Sequence, residues 1–456
     1  MSAAHPTSSQ LAAQLPKLPN KNIAHIPGDY GMPVFGYTFD FLKDFPGLVK
    51  RKTAEYGEIY RYNVLFQNVI NLVGPDANEF LLKDTHHNFS SKLAWDVVLE
   101  KIFPNGLMLR DFENHRIHRK LLQGAFKKEA MVGYVDKMNP GLAEGIKHWP
   151  VDKDFRFFDQ IKALLLDLGA EIFLGMDLGK DAKRINESFV HAVDAVLTSV
   201  KLPIPGTAWY KGVKGRQFLE KFIGSQIANK RRHPGNDFFS QVCQGKGDAG
   251  EELSDQDIID HMIFLLFAAH DTTTSTLTSI VYTLAKHPEW QTIVRDEILA
   301  LNKDTLDYED LGKLEKTSWV FKEALRMYPP LPTIPRRAIR DCEYKGYKIP
   351  KNAAVGVHPM YTHYMPEYWT NPYKFDPERW SPERAEYKKH FYQWVPFGGG
   401  HHKCLGLNFA EIQSKTFLFH FLKRYTVDVK PGYEMDFQVV PLAMPKDGLI
   451  VQIHRR

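Results

Sequence analysis

The chain has 456 residues, a formal net charge of +5, and 43% hydrophobic and 13% aromatic residues. So small a positive charge gives no reason to expect a nucleic-acid ligand. Three scattered cysteines argue against a disulfide framework and fit a reducing compartment, so we expect a cytoplasmic protein. The length alone would allow about three domains, but no Ser/Gly-rich linker, repeat or charge block divides the chain. One large domain with an extensive core is the better interpretation.

The N-terminal segment is polar and carries no long apolar run. It therefore predicts neither a signal peptide nor a transmembrane anchor. We expect residues 1–25 to form a flexible lead and residues 26–456 to form the folded domain, which begins with the turn-rich segment 26–38.

Two kinds of pattern follow along the domain. Residues 58–74 alternate well enough to predict two strands, and 338–357 predicts a hairpin. Helical spacing dominates from about 115 to 330, and residues 449–454 predict a final strand. The fold class is therefore mainly α with a small β portion.

One long helix lies near the middle of the helical region. Ser254 is followed three residues later by Asp257, which predicts a helix start, and Pro288 ends the pattern after about Lys286. Such a helix would be about 50 Å long. Its segment 262–269 is apolar on all sides, which predicts burial.

A polar run interrupts this buried helix. Asp271 is followed by five consecutive hydroxyl residues, Thr272–Thr276, whose side chains can bond to carbonyls one turn back and bend the axis. Polar groups that weaken a buried helix are expected at functional sites, so a proton-delivery step is one interpretation. The alternative is that Asp271 caps a kink and Thr272 only packs.

The segment Phe397–Gly406, FGGGHHKCLG, places one cysteine after a glycine-rich loop and before a helical pattern. Unpaired N–H groups at a helix start would favour the thiolate of Cys404, which is the metal-binding form. We therefore predict a cysteinate ligand to haem iron, with Phe397 against the flat ligand. A buried structural cysteine and a zinc site with His401 and His402 are alternatives, although structural zinc usually takes four paired ligands.

This loop resembles the haem-binding signature of the cytochromes P-450, F-x-x-G-x-[HR]-x-C-x-G. Phe397, Gly400, His402, Cys404 and Gly406 fill every fixed position. The resemblance extends from about residue 26 to 454. It implies the cytochrome P450 fold, haem b as cofactor and Cys404 as the axial ligand to the iron.

Other P450 motifs are matched elsewhere. The run from Ala268 to Thr272 resembles [AG]-G-x-[DE]-T, which implies that Asp271 and Thr272 manage protons during oxygen activation. Ala269 departs from the usual glycine, and its methyl group could narrow the space above the haem. The resemblance also implies a structural network behind the cysteine loop, formed by Glu323 and Arg326 of E-x-x-R and by Arg379 of P-E-R-[FW].

Haem brings two propionate carboxylates, which need donors or cations. The residues that the resemblance assigns to them are His115, Arg119, Arg336 and His402. His115 and Arg119 are four apart on a helix expected to open after Asp111, and Arg337 is a plausible substitute for Arg336.

The resemblance also implies the walls of a substrate pocket. They come from segment 91–110 and from Phe264, Phe267, Ala268, Thr272, Leu331, Thr333, Ile334, Leu442 and Ala443. The last five of these residues, from Leu331 to Ala443, are apolar or small and none is charged, which favours a lipophilic, mostly neutral substrate. Ordinary core packing is the alternative interpretation for each of them. The segments IPGDYGMP and LPIPGTAWYKG resemble sterol demethylases and retinoic-acid hydroxylases, so we expect a steroid, terpenoid, retinoid or fatty chain. Sterol demethylases characteristically carry histidine where Asp271 stands, which argues against demethylation.

The chain is therefore expected to be a soluble haem-thiolate monooxygenase that uses dioxygen. No flavin or iron–sulfur segment is present, so electrons should come from a separate ferredoxin or flavodoxin-type donor. A basic surface for that donor is predicted from Lys120, Lys127, Lys128, Lys403, Lys423 and Arg424. A peroxide-driven or isomerising relative and a non-catalytic haem sensor or lipid carrier are the alternatives, and neither has the same need for Asp271 and Thr272.

Overall fold

A computed structural model describes residues 7–175, 181–198, 201–247, 250–440 and 442–456. In the described residues the α-helices are α1 (Ser8–Ala13), α2 (Thr38–Lys43), α3 (Phe45–Tyr56), α4 (Pro75–Lys83), α5 (Lys92–Leu99), α6 (Phe112–Gln123), α7 (Lys128–Gly145), α8 (Phe157–Gly169), α9 (Ala182–Leu197), α10 (Ala208–Arg232), α11 (Phe238–Gln244), α12 (Asp255–Lys286), α13 (Pro288–Ala300), α14 (Glu315–Met327), α15 (Pro359–Thr362) and α16 (Leu407–Arg424). The strands are β1 (Ile59–Val64), β2 (Gln67–Leu72), β3 (Phe89–Ser90), β4 (Phe155–Arg156), β5 (Ile334–Ala338), β6 (Cys342–Tyr344), β7 (Tyr347–Ile349), β8 (Ala354–Val357), β9 (Tyr425–Asp428), β10 (Phe437–Gln438), β11 (Met444–Pro445) and β12 (Ile450–Arg455). The predicted mainly α class with a small β portion is confirmed.

The predicted long central helix is α12, and both of its predicted ends are confirmed. Ser254 caps it by accepting a hydrogen bond from the Asp257 amide at 3.1 Å, and His287 ends it directly before Pro288 opens α13. α12 packs against α8, α10, α14 and α16, so it runs through the main hydrophobic core. This position makes α12 the element on which a buried site can be built.

The strands of the largest sheet share a hydrophobic cluster that is separate from the main core. This sheet has the strand order β1-β2-β8-β5-β3, in which only the β2–β8 pair is parallel. β1 and β2 are the two predicted strands, and β6 and β7 form the predicted hairpin around Lys345 and Gly346. The predicted final strand is β12, which pairs with β4 and β9.

Several hydrogen bonds join the N-terminal lead to the domain, and a buried arginine makes two of them. Arg337 donates to the carbonyls of Pro16 and Lys17 at 3.4 and 3.0 Å, and also to Leu93 O and Asn352 Oδ1. Residues 1–6 of the lead lie outside the described residues, and its predicted flexibility stays a prediction. No helix among the described residues is both long enough and apolar enough to cross a membrane.

Candidate active site

The cysteine loop is a tight turn that rests against α4. A short 3-10 turn spans Gly400–His402, and the Cys404 amide donates to Phe397 O at 2.9 Å, which closes the loop. Gly400 has φ of +60°, and a Cβ there would lie 1.9 Å from Leu82 O. Only glycine fits this position, because a side chain would collide with the α4 backbone.

Cys404 lies before α16 rather than in its first turn. Gly406 is the residue that caps α16, so Cys404 precedes the helix by three residues. The Cys404 side chain is exposed on one side, yet protein atoms surround it closely on the others. Burial raises the pKa of the Cys404 thiol, and this outweighs the lowering by the Gly406 amide, Arg119 and Lys403. Burial therefore opposes the thiolate that the loop amide and the nearby cations favour, and a bound metal cation would itself stabilise the thiolate.

The two histidines of the loop have different neighbours, and neither arrangement is a zinc site. His401 is exposed and stacks on His87 with ring centroids 5.2 Å apart, whereas the His402 ring lies 4.0 Å from that of His115. Among the described residues, no three histidine, cysteine or acidic side chains converge in a way that could hold a metal ion. The zinc alternative thus finds no support from the geometry.

The residues assigned to the propionates do come together. His115 and Arg119 lie on α6, Arg336 on β5 and His402 in the cysteine loop, and their charges influence one another. Burial lowers the pKa of His115 to about 3 and that of His402 well below its usual range, so both are neutral N–H donors. Arg119 and Arg336 carry the positive charge of this cradle.

Arg336 and Arg337 point to opposite faces of β5, as consecutive strand residues must. Arg337 donates hydrogen bonds to the N-terminal lead. The Arg336 guanidinium instead donates to Pro335 O at 2.9 Å. Burial lowers the pKa of Arg336 to about 10, so it stays protonated with donors left for an anionic ligand. The substitute role considered for Arg337 is therefore wrong.

Sequence reasoning did not assign a role to Asp111 beyond marking the start of α6. Its carboxylate accepts from Ser90 Oγ and from the Ser91 amide at 2.8 Å, and it lies 3.7 Å from His402 Nε2. Burial raises the pKa of Asp111. This acid joins β3 to the cysteine loop and balances part of the cradle's positive charge.

On α12, Ala268 and Thr272 are one turn apart and both are half-buried. The Thr272 hydroxyl donates to Ala268 O at 2.7 Å, and Thr274 and Thr276 make equivalent bonds one turn back, as predicted. Ala269 lies instead on a different face, in a small pocket with residues of α8 and with Gln413 of α16. Its methyl group therefore does not lie on the face shared by Ala268 and Thr272.

Asp271 has partners that local sequence could not reveal. Its Oδ1 lies 3.2 Å from Lys162 Nζ of α8 and 3.0 Å from His270 Nδ1. Burial alone would raise the pKa of Asp271, but His270 and Lys162 together hold it below its usual range. The carboxylate is ionised and buried, with a cation beside it.

The predicted scaffold network is present and fully buried. Glu323 accepts from Arg326 through two bonds of 2.9 Å and from Arg379 at 3.0 Å. The indole N–H of Trp380 and the Asp376 amide complete its donors, at 3.1 and 3.0 Å. A buried carboxylate with this many donors is stabilised only while all of its partners remain in place.

This network reaches the cysteine loop through a histidine that sequence reasoning missed. Arg326 Nη1 donates to His363 O at 2.7 Å, and His363 Nε2 accepts from the Val395 amide at 3.0 Å, two residues before Phe397. Glu386 is a second missed member, which accepts from Arg379 at 2.7 Å. The network thus fixes the chain that leads into the loop.

The predicted pocket residues form two groups. Phe267 stacks on Phe103 at 4.4 Å, and Phe264 fills the space beside Gly106, so α12 meets segment 91–110. In the second group the Ala443 amide donates to Pro330 O at 3.2 Å, which joins the chain before Leu331 to the loop at Leu442. Thr333 and Ile334 are half-buried at the start of β5.

A family model described as Cytochrome P450 matches residues 26–453. The chain belongs to the cytochrome P450 family. The P450 is 34% identical to cytochrome P450 136 of Mycobacterium tuberculosis over 96% of its own length and 92% of the relative's. It is 29% identical to abscisic acid 8'-hydroxylase 3 of Oryza sativa, covering 94% of the chain and 86% of the relative. The solved structure of retinoic acid-bound cyanobacterial CYP120A1 matches with a TM-score of 0.85 at 29% identity, over 94% of this chain and 99% of that one.

Membership makes this P450 a monooxygenase that binds haem b. The residues fit that cofactor. A lone thiol suits one iron, and the half-buried guanidinium of Arg119, the buried guanidinium of Arg336 and two neutral imidazoles suit two carboxylates. Family membership also implies dioxygen and an electron donor.

Proposed function

We propose that this P450 hydroxylates a neutral, lipophilic molecule of the steroid, terpenoid, retinoid or fatty-chain class. The observation that carries the proposal is the acid–alcohol pair of Asp271 and Thr272 on the buried helix α12, beside half-buried Ala268. The apolar residues of both pocket groups support a substrate without charge. Two proteins similar to the chain, an abscisic acid hydroxylase and a retinoic acid-bound P450, support the lipophilic class but not the absence of charge, because both of those molecules carry a carboxyl group.

Cys404 would hold the haem iron, while Arg119, Arg336, His115 and His402 would bind its propionates. The cofactor, when bound, activates dioxygen so that one oxygen atom enters a C–H bond and the other leaves as water; the thiolate ligand favours O–O cleavage. Thr272 would hold a proton at its hydroxyl beside the oxygen, and Asp271 would receive protons from the solvent side through its contact with Lys162. Glu323, Arg326 and Arg379 would keep the loop in place.

Electrons would come from a separate ferredoxin or flavodoxin-type protein. Lys120, Lys127 and Lys403 are exposed and would form part of its basic docking surface. Lys423 and Arg424 fit this role less well, because they donate to the carbonyls of Lys303 and Ala143. A cytoplasmic location stays a prediction.

The haem ligand is tested by the spectrum of the reduced protein with carbon monoxide. The wild type should show the strongly red-shifted Soret band of thiolate ligation, and Cys404→Ala should lose it. Persistence of that band in the variant would rule out Cys404 as the ligand.

The substrate class is tested by screening lipophilic compounds for a low- to high-spin shift and by following turnover of those that bind. Product formation with a ferredoxin system is expected. Turnover with peroxide but not with the ferredoxin system would favour the peroxide-driven alternative instead.

A further inference from the structure

Seven large apolar side chains converge on one exposed part of the surface, which we name the apolar tip. It consists of Met32, Val34, Phe35, Phe39, Leu42, Leu65 and Phe66, each between 45% and 71% exposed. The Phe35 ring lies 5.6 Å from Phe39 and 6.2 Å from Phe66, so the turn at 31–36, helix α2 and the β1–β2 turn form one patch. Exposed apolar patches of this kind mark interaction sites.

The backbone of the apolar tip is strained at the residues that it displays. Val34, Leu65 and Phe66 have φ of +69°, +49° and +63°, in the left-handed region that branched and bulky residues rarely adopt. Such strain persists only where surrounding contacts impose it. Here the Tyr37 amide donates to Asn63 O at 2.7 Å, and the Leu65 amide donates to the Thr38 hydroxyl at 2.9 Å.

A charged cluster underneath holds the tip rigidly. Asp29 Oδ1 accepts from the Gly31 amide at 2.7 Å and from the Tyr37 hydroxyl at 2.6 Å, which pins both ends of the turn. Asp29 Oδ2 accepts from Lys52 Nζ at 2.7 Å and from Tyr56 at 3.1 Å. The turn is thus fixed to α3 with its apolar side chains directed outwards.

The charges around the tip suit an anionic surface. The two acids on and beside α2, Asp40 and Asp44, are both paired with Arg51, at 3.0 and 3.4 Å. Lys43 at the end of α2 is exposed, and so is Lys21, whose carbonyl accepts from Asn68 beside Phe66. Neutralised acids and exposed lysines lower the cost of approaching phosphate headgroups.

Behind the tip lies a small hydrophobic cluster of α2, α3 and β1 that also contains Val439, with Phe437 and Val440 packed against it. Two residues after Val440 the chain reaches Leu442, a proposed wall of the substrate pocket. The cluster under the tip therefore lies two residues along the chain from a proposed wall of the pocket.

We propose that the apolar tip docks this P450 onto the surface of a lipid bilayer, with Phe35, Phe39 and Phe66 inserted among the headgroups and upper acyl chains. Aromatic and aliphatic side chains flanked by exposed lysines are the combination that membrane-surface segments present to anionic lipids. Docking would bring the enzyme to a substrate that partitions into lipid; this purpose rests on the proposed function, whereas the binding itself does not.

The test uses the haem-loaded full chain and vesicles of phosphatidylcholine with or without phosphatidylglycerol, sedimented at low and at 0.5 M salt. The triple variant Phe35→Ser/Phe39→Ser/Phe66→Ser should lower the partition coefficient by about a thousandfold, since each buried aromatic ring contributes about tenfold. The matched control is Ile293→Ser/Leu299→Ser/Phe391→Ser, which removes three exposed apolar side chains elsewhere and should bind as the wild type does.

Retained thiolate–carbon monoxide spectra in both triple variants would show that the haem site is intact, so a failed substrate prediction cannot be mistaken for failed docking. The proposal is overturned if the wild type does not bind vesicles, if the tip variant binds equally well, or if 0.5 M salt abolishes all binding. A tip-dependent dimer in light scattering without vesicle binding would also overturn it and assign the tip to a second copy of the chain.

Discussion

Lys162 Nζ lies 3.2 Å from Asp271 Oδ1, so a lysine of α8 is paired with the acid proposed to deliver protons from α12. The carboxylate has its contacts with Lys162 and His270, whereas the hydroxyl of its sequence neighbour Thr272 donates to Ala268 O. Proton delivery would therefore depend on a residue 109 positions away, and Lys162 is best regarded as a positioning residue.

Replacing Lys162 by methionine should raise the pKa of Asp271. Burial favours the neutral acid, and the variant would lose one of the two side chains that lower this pKa. Asp271 would then become protonated at a higher pH as the solution is acidified. We expect the acid limb of the pH profile for product formation to move to higher pH, and Lys162→Arg to restore it. An acid limb that is the same in all three proteins would contradict the role of Lys162.

Thr272→Ala should separate electron use from product formation. Without the hydroxyl, the proton that it would hold beside the oxygen is missing, so we expect product per electron pair to fall about tenfold and peroxide to be released. Thr272→Ser should retain coupling. Thr274→Ala is the matched control, because Thr274 makes the same bond one turn back but is fully buried on another face. Equal uncoupling in the control would assign the effect to the helix rather than to proton delivery.

Glu323→Gln should destabilise the folded protein. The neutral amide would leave Arg326 and Arg379 buried without their counter-charge. Its NH2 group would also face N–H groups that now donate to the carboxylate. We expect the free energy of unfolding to fall by about 3–5 kcal/mol. Chemical unfolding and haem content would measure it. Glu113→Gln, on an exposed acid paired with Arg116, should change stability by less than about 0.5 kcal/mol. Similar stability of the two variants would show that the network is not needed.

The features that sequence predicted correctly are local ones. Both ends of α12 follow from Ser254 and Pro288, and the backbone bonds of Thr272 follow from its position in a buried helix. The cysteine loop was recognisable because its glycines and Cys404 stand within ten residues.

The missed features all join distant parts of the chain. Lys162, Asp111 and His363 act through contacts that leave no periodic signal in the sequence, because each partner lies on another element. Alternation along β5 implies that only one of Arg336 and Arg337 faces the cysteine loop, but the contacts of Arg337 with the N-terminal lead are what identify Arg336. The burial that raises the pKa of Cys404 has no local signal in the sequence, because it depends on the whole fold.

Buried histidines make the stability of this P450 sensitive to acid. Burial lowers the pKa of His358 and of His363 to about 3 each, from an ordinary value near 6.5. Between those values the unfolded chain binds protons that the folded chain cannot, so the free energy of unfolding falls as the pH falls, by about 1.4 kcal/mol per pH unit for each histidine. Stability is therefore greatest above pH 6.5 and is lost progressively towards pH 3.

The variant His358→Gln removes one of these proton sites and keeps a side chain able to donate to Asn71 Oδ1, the present partner of His358 Nε2 at 3.0 Å. Urea unfolding at pH 5, 6 and 7 should show a slope of stability against pH that is shallower than in the wild type by about 1.4 kcal/mol per unit near pH 5. His148→Gln, on an exposed histidine, should leave the slope unchanged. If His358→Gln also leaves the slope of stability against pH unchanged, His358 must become protonated as readily in the folded protein as in the unfolded one. The ring would then have to be accessible to water.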